Sequence, residues 1–248
     1  MTEEKKELAE TGSTLPATIG RALGRGHEEP SDIEDLEIPR ASLVQFTSEA
    51  AQAENKEERI DPGTVINSIT KEPLDNIFVP IFKFTNFIQW NPRKKDDLNF
   101  DPAFDPGALV FQTTDNRDPR VVDGTKFGPN QEPPKVTKYM NFLCYFVGHR
   151  YPLVLSFAKT SFSAGKRLNS LTQFSGGDMF ENKYKLTTSL KESDGTKFFV
   201  LEVSPAGKVT PEEFKVAENW YEEFRGKNLK IHQETSDKSK PTGEGFSE

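Results

Sequence analysis

Cysteine and histidine are scarce in this chain of 248 residues, and long apolar runs are missing. One thiol, Cys144, excludes an intrachain disulfide, and its place in MNFLCYFVG marks it as a small core side chain. The three histidines, His27, His149 and His232, fall in an arm, a turn and a tail; no metal-ligand spacing links them. A nucleophile and base pair would have to use His149, whose setting in GHRYP reads as a turn. No run of about 18 apolar residues is present to cross a bilayer. The opening MTEEKKELAE lacks the basic-then-apolar order of a secretion signal, so the expected setting is the cytoplasm, without a membrane partner. Hydrophobic residues make up 34% of the chain and mean hydropathy is −0.66, which predicts long solvated segments around one main domain.

Two further motifs fail on inspection. Gly165-Lys166 suggests a phosphate-binding loop, but that pattern needs glycine at 160 and Ser or Thr at 167, where Thr160 and Arg167 stand. The acids Asp96, Asp97, Asp101 and Asp105 lack the order of a calcium loop, and Asp before Pro is a common turn choice. The expectation is a protein that is not an enzyme and uses no cofactor or metal.

Charge is divided along the chain. Residues 1–62 carry 7 Lys/Arg against 15 Asp/Glu, whereas residues 135–197 carry 10 against 4, within an overall net charge of −7. A basic middle in an acidic protein fits a polyanion partner, because neutralising phosphates releases condensed counterions. Scattered lysines without a patch would give the same count.

Hydrophobic periodicity organises the rest. Residues 1–35 are predicted to form a disordered acidic arm, 36–230 one β-rich domain, and 231–248 a disordered polar tail. Strand-like runs occur at TVINSIT, NIFVPIFKFTNFIQW, GALVFQTTD, KYMNFLCYFVG, YPLVLSFAKT, NKYKLTTSLKE and TKFFVLEVSP. In the second run, alternation places Ile77, Val79, Ile81 and Lys83 on one face, while Phe78, Phe82, Phe84 and Ile88 disturb it; Pro80 predicts an edge strand or a bulge. Residues 91–134 are irregular and rich in Pro, Asp, Asn and Gly. After YPLVLSFAKT, Thr160 or Ser161 can cap a helix in which Phe162, Gly165, Leu168 and Leu171 share a face. Thr210-Pro211-Glu212-Glu213 opens a second helix with one apolar face, ended by Gly226. The predicted fold is mainly β: an OB-like barrel or curved sheet with one inserted and one C-terminal helix.

Aromatic side chains interleaved with cations suit single-stranded nucleic acid, where bases stack on rings and basic groups follow the backbone. The first candidate cluster is Phe84, Phe87, Trp90, Arg93, Lys94 and Lys95. The second is Tyr139, Arg150, Tyr151, Lys159, Lys166, Arg167, Lys183 and Lys185, with Tyr184 turned to the opposite face from its two lysine neighbours by period-two alternation. Each ring taken singly also fits a core.

The segments LEIPRASLVQ, QWNPRKK and SFAKTSFSAGKRLNS resemble a group of bacteriophage replication-region proteins regarded as single-stranded DNA-binding proteins with an OB-like barrel, over roughly residues 36–225. The resemblance implies a protein that coats single-stranded DNA in phage replication or recombination, in the cytoplasm of an infected bacterium, with a possible homo-oligomeric state. Such groups commonly end in a strongly acidic tail with a terminal aromatic. Here GEGFSE is weakly acidic, which leaves recruitment of replication or recombination proteins to the acidic N-terminal arm. The alternative from another class is a phage structural or assembly protein whose β-rich body binds protein neighbours.

Overall fold

The computed structural model describes residues 36–129, 132–193, 195–227, 229 and 231. The arm expected over 1–35 and the tail expected over 231–248 lie outside them, Ile231 excepted.

Eight strands form one curled sheet: β1 Arg40–Leu43, β2 Val65–Asn67, β3 Ile77–Trp90, β4 Leu109–Thr113, β5 Val136–Phe146, β6 Leu153–Phe157, β7 Asn182–Ser193 and β8 Thr196–Lys208. Their order is β2-β1-β6-β5-β3-β7-β8, with β4 beside the far end of β3. Only β1 and β6 run parallel. Among the described residues, four α-helices accompany them: α1 Glu49–Gln52, α2 Pro119–Gly124, α3 Phe162–Phe174 and α4 Pro211–Phe224. The fold is mainly β, and of the two forms expected the curved sheet, a half-barrel, is the one adopted. The two expected helices are α3 and α4. The short α1 and α2 were not foreseen, since their few residues carry too little periodicity to stand out from polar or Pro-rich surroundings.

β3 is the spine. It pairs along most of its length with β5, and on its other side with β7 at Ile77–Phe78 and with β4 from Phe87 to Trp90. This central position corrects the edge-strand expectation, while the bulge expectation holds: register shifts between Pro80 and Phe82, next to the one residue that has no N–H to donate. Ile81 is the extra residue. Past it the phase reverses, so Val79, Ile81, Phe82 and Phe84 all pack toward one face, and Lys83 moves to the other, opposite Phe142.

Both faces of the sheet are covered. Phe78, Phe142, Cys144, Leu155, Phe157 and Tyr184 pack beneath α3, whose Ala164 and Leu168 are buried there. Fully burying each large side chain contributes roughly 1.5–3 kcal/mol, so this cluster is a major source of the stability of the domain. Gly165 permits the close approach, because a Cβ at this position would stand 2.6 Å from the Phe157 Cβ. It is therefore a helix-packing glycine and not part of a phosphate loop. On the opposite face, Val79, Ile81, Leu143 and Val154 meet Ala217 and Phe224 of α4. Thr210 caps the start of α4 as expected and forms with Glu213 a capping box, and Phe180 ties the helix down through ring contacts with Phe214 at 5.1 Å and Tyr221 at 5.7 Å.

The β7–β8 hairpin leaves β3 early and curls over the α3 face. Side chains from the loops after β1, and not strand pairing, meet it there. Gln45 donates to the Phe199 carbonyl and accepts from its N–H, Thr188 Oγ1 donates to the Gly63 carbonyl, and the Phe46 and Phe199 rings lie 5.5 Å apart. Ser161 accepts from the Leu201 N–H at 3.2 Å. Gln45 and Ser161 thus occupy backbone groups on the outer edge of β8 that would otherwise invite another strand, while Thr188 ties β7 to the loop at Gly63.

The irregular region after β3 also has internal order. Asn91 is buried, and its amide donates to the carbonyls of Asp101, Phe104 and Asp105 while accepting from the Asp101 N–H. One side chain thus closes the loop on main-chain groups alone.

Candidate functional site

The sheet phase and the helix together assemble a strip of positive charge on the α3 face. On β5, Met140 and Phe142 point into the core beneath α3, so Lys138 shares their face and Tyr139 takes the other. The bulge in β3 brings Lys83 to this same face, where its Nζ donates to Asn169 Oδ1 of α3 at 2.8 Å. Phe162, at the start of α3, is half-buried between two ammonium groups: Lys166 Nζ lies 5.4 Å and Lys138 Nζ 6.0 Å from its ring centroid. Lys138 is also 6.0 Å from the Phe87 ring. Such distances fit cation–π attraction, which orients the lysines without neutralising them.

α3 contains no acidic residue, and Lys166 and Arg167 are exposed on it. Among the described residues, no ion pair involves Lys83, Lys138, Lys166 or Arg167. Elsewhere the pattern differs: Lys183, Lys208, Lys215 and Lys227 each hold a glutamate within 3.4 Å. The strip is therefore a set of cations without ion pairs on an acidic protein, with Glu202 lining the second cleft beside Arg167.

Two clefts flank α3 on its β7–β8 side. One, of about 500 Å³, lies between the C-terminal half of the helix and the hairpin base and is lined by Arg167, Leu171, Phe174, Tyr184, Pro205 and Lys208, among others. The other, of about 580 Å³, lies between the first turns of the helix and β8, and Arg167 borders both.

The residues singled out in the sequence are dispersed by the fold. Lys166 and Arg167 belong to the strip, and Lys159 stands exposed just ahead of α3 at φ 47°. Phe87 is 6% exposed in a small cluster with Phe111, Val121 and Val136, so it is a core ring and not a platform. Phe84 packs on the α4 face, and its ring centroid lies 6.0 Å from that of Phe82. Trp90 is half-buried at the end of β3, paired with Leu109, and Arg93, Lys94 and Lys95 are exposed in the loop closed by Asn91. Arg150 and Tyr151 occupy the β5–β6 turn, where the Tyr151 hydroxyl accepts from Asn67 Nδ2 at 3.1 Å. Tyr139 lies on the α4 side of the sheet. Tyr184 is buried under α3, with Lys183 and Lys185 on the opposite face as the alternation predicts. There Lys183 is paired with Glu213 at 3.0 Å. The fourteen residues thus do not form one groove.

Sequence reasoning missed Lys83, Lys138 and Phe174. The signal for Lys138 was present, since it precedes Met140 and Phe142 at even spacing; that for Lys83 was inverted by the bulge. His149 is a turn residue, edge-on to Phe146 at 6.4 Å. Among the described residues, no group of three or more His, Cys, Asp or Glu is placed to hold a metal ion, and no helix is long and apolar enough to cross a membrane.

A family model described as Pam3 phage gp34-like protein matches residues 9–230. No curated protein and no solved structure matches the chain.

Proposed function

The chain belongs to the Pam3 phage gp34-like family, and from that premise we propose that it is a phage-encoded, non-enzymatic protein that binds single-stranded DNA with little sequence preference through the strip beside α3. The observation that carries this reading is the run of cations along α3, with Lys138 and Lys166 at the Phe162 ring, Lys83 held by Asn169 and Arg167 exposed immediately after Lys166, none of them in an ion pair among the described residues. Four exposed cations without ion pairs make a locally positive surface on a chain of net charge −7, which is where a polyanion is attracted. A flexible single strand can follow the contour of a helix lying on a curved sheet, with its phosphates at the lysines and its bases turned to apolar surface. The role that follows is coating or protecting single strands in replication or recombination inside the host cell. The acidic arm is then available to basic partner proteins, and oligomerisation along the strand is compatible with the same surface.

The test is fluorescence anisotropy with labelled oligo-dT, a mixed single strand and a duplex, each at several salt concentrations. Single strands are expected to bind more tightly than duplex, with affinity falling as salt rises by a log–log slope of about −0.7 per neutralised phosphate. The Lys83→Ala/Lys138→Ala/Lys166→Ala protein is expected to flatten that slope by about 2, since three contacts are removed. Absence of binding at low salt in a folded sample rejects the proposal.

A phage structural or assembly protein is the second reading. It is favoured by Leu98 and Phe127, which are 89% and 71% exposed on the loops between β3 and β5 and would suit a protein neighbour. Association through them would be insensitive to salt.

A further inference from the structure

We propose that the cleft between the C-terminal half of α3 and the base of the β7–β8 hairpin receives a nucleobase of the bound strand, stacked on Phe174. This inference rests on the single-strand reading above and specifies where a base, as opposed to a phosphate, is held.

Phe174 is the last residue of α3 and is 87% exposed, the least buried aromatic side chain of the described core-flanking segments. Among the described residues, it joins none of the aromatic pairs that tie down Phe46, Phe82 or Phe180, nor a cation–π contact like those at Phe162. A ring left in water at the mouth of an apolar cleft forgoes the burial that large aromatics normally gain, and a planar partner restores it. The cleft floor supplies Leu171, Tyr184 and Pro205, and no carboxylate lines it. Its volume of about 500 Å³ accommodates a heterocycle. Beyond the helix, Gly176 and Gly177 both adopt positive φ, 67° and 70°, and turn the chain sharply after the final helical residue.

The cleft is continuous with the strip. Successive helical residues are rotated by about 100°, so Lys166 leans toward Lys138 and Lys83 while Arg167 leans toward the cleft, with Ser170 exposed between them. A strand crossing the solvent side of α3 meets Lys166, then Arg167, then the Phe174 ring. Lys208 marks the far wall, where it is paired with Glu181 at 3.4 Å. Phosphates at Lys166 and Arg167 leave the next base beside Phe174.

The experiment compares labelled oligo-dT with an abasic oligonucleotide of the same length, at fixed salt, on the full chain and its Phe174→Ala variant. The full chain is expected to prefer oligo-dT, and Phe174→Ala is expected to reduce that preference at least about fivefold, the lower bound for loss of one stacked base. The salt slope on oligo-dT stays unchanged in the variant, because the ring neutralises no phosphate. Since Phe174 is exposed, an unchanged denaturation midpoint confirms that the variant is folded. If the wild type binds both oligonucleotides equally, or the variant keeps the full preference, the base site is refuted while the phosphate-binding strip stands. If the wild type binds neither, both proposals fall.

Discussion

The side-chain amide of Gln45 is bonded twice to the main chain of Phe199, donating to its carbonyl and accepting from its N–H, each at 2.8 Å. The two residues stand 154 positions apart, and the contact does what a ninth strand would otherwise do. It fastens the end of β1 to β8 and converts an open, curled sheet into a half-barrel with a defended edge. Gly63, at φ 94°, lies against the Phe199 ring so closely that a Cβ would stand 2.7 Å from it.

Gln45→Ala removes both bonds and leaves two partly buried backbone groups without partners. Each unsatisfied group costs about 1–3 kcal/mol when buried, and partial exposure places the sum near the lower end. The urea midpoint is expected to fall with an unchanged m-value, and exchange of the Phe199 amide to accelerate. An unaltered midpoint would mean that the ring contact, the Thr188 and Ser161 bonds and the β3–β7 pairing hold the hairpin without Gln45.

Gly165→Ala tests the seating of α3. In an exposed helix interior this change stabilises by about 1 kcal/mol. Here the new methyl meets the Phe157 Cβ at 2.6 Å, and overpacking costs about 1–3 kcal/mol. Net destabilisation in chemical denaturation is the expected outcome, accompanied by a shift of the neighbouring Lys166 and Arg167. A more stable protein would show that the helix rides higher on the sheet than described.

Cys144 reports on the closure of the same face. It is wholly buried, and burial pushes its thiol well above the usual cysteine range. Labelling with a thiol-reactive disulfide reagent at pH 8 is expected to be slow in the native protein and complete within the mixing time in denaturant. Native labelling at the rate of a free thiol would contradict a closed core under α3.

Much of this architecture was legible because it is written in local patterns. The capping box at Thr210 and Glu213, the apolar face of α4 and the opposite facing of Tyr184 and Lys183 each depend on residues within a few positions of one another. What was not legible depends on partners far apart. The parallel pairing of Arg40 with Val154, the meeting of Gln45 with Phe199 and the fastening of the loop by Asn91 leave no periodic trace. The candidate site divides in the same way. Lys166 and Arg167 declare themselves within one amphipathic helix, whereas Lys83 reaches them only because one extra residue at Pro80–Phe82 reverses the facing of everything after it. Phe84 and Phe87 read as platforms and proved to be packing, since a ring beside cations looks the same in sequence whichever way its strand is turned.

The loop closed by Asn91 has an evolutionary corollary. Its single amide recognises main-chain carbonyls and an N–H, so the shape of the segment from 92 to 107 depends on few of its own side chains: Asp97 and Asp101, which accept from the N–H groups of Asn99 and Ala103, and Gly107 with φ 80°. Mutation can rewrite Arg93, Lys94, Lys95 and Leu98 without disturbing the framework that carries them. Selection there acts on what the loop touches, while Asn91, with the turn aspartates Asp97 and Asp101, answers for how it is held.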